Sequence, residues 1–344
     1  MGAARRALPG AALVLIVGFA ALALPFVQAF FDVVALALTH LSKLALEATG
    51  FDLVRDGTEL RASGAGWAIR VTEVCDGHGI LIAWVAILSA LSGSWRQLAV
   101  FAAMGFGGVQ IFNFFRVIVL ALVLDAEPGS FEDVHLFFFP LLTTIFLATL
   151  ATLVRPISLV FFAAATIAFA ALWFIVTEPV SGAVLTPLAN GFLALIGPAG
   201  INGVSGSAPD WIVDTAYLVS REPVQLLAMP FYPPDFAIAL PVVAAAVAAT
   251  WRPAALSYLA LWAVLGVIAM AIGMITSGWA GAEAQNITQQ IVPQGDGRAV
   301  AIAYQSPSDA IRGLTELVQN LLVHFNLLVL PVLILGADDR TTSD

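Results

Sequence analysis

"WAIRVTEVCDGHGILIAWVAILSA", Trp67–Ala90, runs from a polar, extended-looking segment into an uninterrupted apolar one. The only cysteine of the chain, Cys75, stands at the junction, followed by Gly77, His78 and Gly79. Nothing charged follows Asp76 until Arg96, so the second part of the stretch reads as a helix entering lipid. A lone thiol at such a boundary invites a chemical explanation as well as a structural one.

The rest of the chain agrees with a membrane setting. Of 344 residues, 60% are hydrophobic and 11% charged, with a mean hydropathy of +0.95. Soluble domains keep roughly a quarter of their residues charged. Apolar runs near 8–30, 77–92, 98–124, 136–154, 157–177, 235–250, 254–275 and 319–336 predict about eight transmembrane helices, since a span takes about 20 residues. The short alternating segments of a barrel are missing. The expected fold is an all-α polytopic membrane protein with small extended or amphipathic segments on its outer face. The net charge of -9 gives no reason to expect nucleic acid as a partner.

Orientation follows from the connections. Arg5, Arg6, Arg96, Arg155, Arg252 and Arg340 fall on one side in short segments. The other side holds the long loops 31–74, 125–134, 178–234 and 276–318. The positive-inside rule places both termini in the cytoplasm and the long loops outside the cytoplasmic membrane. The N-terminal "RRALPGAALVLIVGFAALAL" is expected to be retained as the first helix, its apolar run being too long for a signal core. Residues 31–50 read as an amphipathic helix in the outer interface, with Val34, Leu38, Leu41 and Leu44 on one face. Asp56-Gly57 between short strand-like runs predicts a hairpin turn.

The halves echo each other. "SWRQLAVFAAMGF" from Ser94 pairs with "TWRPAALSYLALW" from Thr250, and "HLFFFPLL" at His135 with "HFNLLVLPVL" at His324. A four-plus-four arrangement is expected, with a catalytic core at 1–156 and a second four-helix half at 157–344. At the Trp-Arg offset, Cys75 falls on Phe231 and Arg116 on Ile272. The chemistry is therefore expected in the first half, and neither His40 nor His324 is assigned a catalytic role.

Three residues of that half suit acyl transfer. Cys75 would be the nucleophile, and a thiol with pKa about 8.5 needs a neighbouring cation or base to ionise at neutral pH. Arg116 lies in an apolar segment where a charge costs at least about 2.5–3.5 kcal/mol, and it offers fixed donors to a thiolate or an oxyanion. His135, where the chain re-enters the bilayer, would shuttle the proton. His78, three residues beyond Cys75, competes for that role. Asn113, one turn before Arg116, would orient the guanidinium or hydrogen-bond between helices. Gly77 would allow close backbone approach. Glu73 and Asp76 oppose thiol ionisation. No metal or organic cofactor is expected, because four scattered histidines and one cysteine form no ligand pattern.

Cys75 with Gly77, then Asn113-x-x-Arg116, then His135 at the start of a later helix resemble, in order and placement, the exosortase/archaeosortase family of membrane cysteine enzymes over roughly residues 10–160. The resemblance implies cleavage of exported proteins at a C-terminal sorting signal (a short motif, one membrane helix and a basic tail). It further implies an acyl-enzyme on Cys75 and transfer to an acceptor on the outer side, lipid- or polysaccharide-linked. The Asp-Gly-His-Gly after the cysteine departs from the commoner small-residue-Gly-Ile/Leu pattern and leaves the subtype, an exosortase H-like one included, open. A transporter or lipid-handling protein that binds an anionic substrate through Arg116 is the alternative from a different class.

Overall fold

The computed structural model describes residues 2–64, 66–72, 76–196, 200–206, 211–219, 225–231, 234–250, 256–293 and 299–336. Helices dominate. Five are long and apolar enough to cross a membrane: Pro25–Ala48, Trp95–Ala126, Pro128–Ala151, Leu256–Ala284 and Asp309–Gly336. Shorter apolar helices cover Leu8–Ala21, His78–Leu91, Leu159–Trp173, Gly182–Leu195 and Ala239–Thr250. The apolar runs read from sequence thus coincide with helices, four of them long and four short.

The N-terminal region departs from the expectation. The run 8–30 is not one helix but two, α1 (Gly2–Ala21) and α2 (Pro25–Ala48). Pro25 opens α2 and Leu24 is extended, at φ −81° and ψ 127°. Proline removes an N–H and drives the preceding residue out of the helical region, which breaks the run there. The interfacial helix expected at 31–50 is the second part of α2. Its buried stripe is Ala35, Leu38, Thr39, Ser42 and Leu46, whereas Leu41 and Leu44 are exposed. Leu38 lies in the stripe, Leu41 and Leu44 point outward, and small residues set the contact with the next long helix.

The predicted hairpin is present. Strands β1 (Leu53–Asp56) and β2 (Glu59–Ala62) pair antiparallel around Gly57, whose φ of +58° suits glycine, and β3 (Ala68–Arg70) adds to β2. Leu53, Leu60, Trp67 and Ile69 form a cluster with Leu46, Leu120, Ala121 and Phe139. Trp67 Nε1 donates to Asp125 Oδ1 at 2.9 Å. This sheet covers the end of the long helix α4 (Trp95–Ala126).

The central helix is α3 (His78–Leu91), only 14 residues long and buried along most of its length. It turns back through Ser92–Ser94, where Ser94 Oγ accepts from Gln97 N and caps α4. The two helices lie close enough that a Cβ on Gly105 would sit 1.9 Å from Trp84 Nε1. That indole donates to Phe101 O at 2.9 Å. One apolar cluster joins Leu15, Trp84 and Leu147 to Val242, Met274 and Val332. The two parts of the chain therefore share a core around α3.

Three segments widen into π-helix: Val134–Phe138, Ser181–Leu185 and Phe325–Val329. Each ends two residues before a proline (Pro140, Pro187, Pro331). A helical proline clashes with the carbonyl four residues back, and a wider turn relieves it. The carbonyl of Leu327, left by Pro331, accepts a hydrogen bond from Thr144 Oγ1 at 3.1 Å. The segments expected as outer loops at 178–234 and 276–318 are in fact structured. Helix Leu256–Ala284 runs into the second of them, and strands Ile201–Ser205, Trp211–Val219, Gln225–Phe231, Gln289–Pro293 and Ala299–Ala303 form a five-stranded sheet. Their apolar residues alternate too irregularly to separate strand from loop by pattern.

Candidate active site

Asp76 and Gly77 make the corner from which α3 starts. Asp76 is 2% exposed, and its Oδ1 accepts from His78 N at 2.8 Å and lies 2.7 Å from His78 Nδ1. The carboxylate both caps the helix and aligns the imidazole. On the other side of the corner Gln110 Nε2 donates to Asp76 O at 3.1 Å. Gly77 has φ +86° and ψ 7°, the left-handed region. A Cβ there would lie 2.1 Å from Asn113 Nδ2 and 2.9 Å from Val109 Cγ1. The backbone and the amide of Asn113 are therefore in direct contact. Cys75 precedes Asp76 in the chain and lies outside the described residues, as do Glu73 and Val74.

One face of α4 supplies the rest. Val109, Asn113, Arg116, Val117 and Leu120 are its buried residues in this region. Asn113 is fully buried, and neither atom of its amide has a hydrogen-bond partner among the described residues. Arg116 is 8% exposed, with Cζ 5.6 Å from the centre of the Phe139 ring. A guanidinium over an aromatic face gains electrostatic stabilisation that grows as water is removed. His135 is in the π segment before Phe139, its ring 5.5 Å from Phe131, within electrostatic range of Arg116. From Trp95 to Asn113, helical rise is about 27 Å, close to the roughly 30 Å thickness of a bilayer core. Along α3 itself the corner stands only about 21 Å from the α3–α4 turn.

Of the residues singled out in the sequence, Gly77 and Asn113 touch, Arg116 follows on the same helix face, and His135 stands across from Arg116. His78 is present at the corner but turned onto Asp76 and against Phe31, at 5.6 Å between ring centres. Sequence reasoning missed four neighbours. Asp76 was read as an unfavourable charge although an Asp two residues before a helical His is a capping signal. Gln110 and Phe139 carried no signal. His324 was set aside, although its echo of His135 pointed to it: a Cβ on Gly79 would lie 2.3 Å from His324 Nε2.

An aligned imidazole, a guanidinium and a buried amide near the chain position of a cysteine are the kinds of groups that nucleophilic acyl transfer uses. With the membrane helices, these residues describe a polytopic membrane protein with buried polar side chains at the start of its central helix. Residues 7–138 match the family model described as Transmembrane exosortase, a segment that takes in Cys75, Asn113, Arg116 and His135. That match covers less than half of the chain and agrees with the resemblance read from its motifs. No curated protein and no solved structure matches the chain.

Proposed function

We propose that the protein is a membrane-embedded cysteine peptidase/transpeptidase that cuts C-terminal sorting signals of exported proteins at the outer face of the cytoplasmic membrane. Both termini are cytoplasmic in this reading. The observation that carries it is the contact of the Gly77 corner with Asn113, one helical turn from Arg116.

In the reaction, the Cys75 thiol gives its proton to an imidazole, that of His135. The thiolate attacks the scissile carbonyl carbon, and a C–S bond forms as the carbonyl electrons move to oxygen. Arg116 and the Asn113 amide stabilise that oxyanion. As the oxyanion collapses, the C–N bond breaks and the leaving amine takes the proton from the imidazole. A thioester on Cys75 remains. An acceptor amine or hydroxyl, or water, then attacks the thioester and releases the thiol. The acceptor is lipid- or polysaccharide-linked in this reading.

The test is co-expression with a protein ending in a motif, a membrane helix and a basic tail. Wild-type protein should convert it to a shorter form, and Cys75→Ala, inserted at an equal level, should leave it intact. Processing that survives in Cys75→Ala membranes would overturn the reading. Transport of an anion that depends on Arg116 but not on Cys75 would favour the transporter instead.

A further inference from the structure

His324 belongs to the helix Asp309–His324, far outside the segment that matches the exosortase family. Its ring nevertheless packs on the first turn of α3. Nδ1 lies 2.8 Å from Asn320 O. A carbonyl only accepts, so Nδ1 carries the hydrogen and Nε2 presents a lone pair. That Nε2 occupies the space where any side chain at Gly79 would be, 2.3 Å from an ideal Cβ. Phe19 packs on the ring with 4.9 Å between centres. The π segment that follows, Phe325–Val329, includes Asn326, which is 2% exposed with both amide atoms unpartnered among the described residues. His324 is also within electrostatic range of His78. An apolar side chain would fill this place in a lipid-embedded bundle more cheaply than an imidazole.

We propose that His324 is a positioning residue of the active site: its ring, seated on Gly79, holds the start of α3 and with it the Asp76–His78 corner that follows Cys75 in the chain. The C-terminal part of the chain then forms one wall of the site. This rests on the reading of Cys75 as nucleophile. The His78 imidazole is held from its other side by Asp76, so the two histidines bracket Gly77–Gly79. Loss of either would let the corner shift relative to Asn113.

Because Cys75 is the only cysteine, a maleimide added to membranes containing the full-length protein reports on that thiol alone. His324→Ala should slow labelling about tenfold or more through loss of positioning and thiolate character. His324→Gln, which keeps a polar atom of similar reach, should recover much of the rate. Gly79→Ala should reproduce the His324→Ala defect, and the double variant should be no slower than His324→Ala alone. Unchanged labelling in His324→Ala, or defects that add in the double variant, would overturn the proposal. If His324→Ala does not insert, Gly79→Ala and His324→Gln decide it: wild-type labelling in Gly79→Ala would overturn it. The catalytic reading fails separately, by processing that survives Cys75→Ala, whatever the labelling rates are.

Discussion

Gly77→Ala tests the geometry on which the site depends. Its φ of +86° places the new side chain in the left-handed region, at a cost of about 1–2 kcal/mol. The Cβ would also arrive 2.1 Å from Asn113 Nδ2 and 2.9 Å from Val109 Cγ1. Overpacking of this kind adds about 1–3 kcal/mol, so the total is about 2–5 kcal/mol. Gly57→Ala is the control, since φ is +58° and nothing lies within 4 Å of its Cβ; it should cost only the backbone part, about 1–2 kcal/mol. The assay is the unfolding midpoint of the detergent-solubilised protein, followed by substrate processing in membranes. Asn113 and the corner can separate only by a shift of about an ångström, which lowers turnover roughly 100-fold. In an Asn113→Ala background the larger steric contact should vanish while the Val109 contact and the backbone part remain, so the stability effects should be less than additive. Equal midpoints for Gly77→Ala and Gly57→Ala, or additive effects of Gly77→Ala and Asn113→Ala, would refute the contact.

Other variants probe the neighbouring contacts. Arg116→Lys keeps the charge but loses the planar fork over Phe139, and processing should fall about 100-fold or more with insertion unchanged; wild-type turnover would remove Arg116 from the mechanism. Thr144→Val strips the hydroxyl from the Leu327 carbonyl and should destabilise by about 1–3 kcal/mol. That penalty should shrink in a Pro331→Ala background, where the carbonyl regains a helical N–H, and a full penalty there would refute the proline account of the π segment. Trp67→Phe removes the bond to Asp125, worth about 1 kcal/mol, and should make residues 51–72 more accessible to protease; unchanged cleavage would show that the bond does not hold the sheet to α4.

The legible parts of the molecule were those where a local rule had no rival. Gly57 was legible because a hairpin needs a positive φ, and Gly77 and Asn113, both singled out in the sequence, are in contact. The break at Pro25 was equally open to local reading, but hydropathy averaged over a window hid it. The buried face of α2 was unreadable for a different reason. Ala35, Thr39 and Ser42 bury because small residues let helices approach in a membrane, whereas large apolar residues there face lipid. Leu41 and Leu44 follow that rule and are exposed. The second sheet was missed because its strands alternate irregularly, and the pairing of Tyr217 with Gln290 that joins its two local parts spans a distance in the chain no local pattern signals. His324 was recognised as an echo and then discounted, since no sequence period reveals that a residue from one end of the chain fills the space left by Gly79.

The shortness of α3 ties these observations together. Its 14 residues give about 21 Å of helix, well under the roughly 30 Å of a bilayer core. The chain before it cannot continue as helix, because Gly77 is left-handed and Asp76 turns back to cap His78. Irregular backbone at this depth survives only where protein encloses it. Val109, Gln110 and Asn113 enclose it from α4, and His324 packs on the following turn from the C-terminal part of the chain. Buried amides at Asn113 and Asn326 and a guanidinium at Arg116 are expensive in such surroundings, and an apolar bundle would be more stable without them. Asn113 meets the corner that starts this truncated helix and Arg116 follows one turn along α4, so the costly polar groups of α4 lie where α3 falls short of a full span.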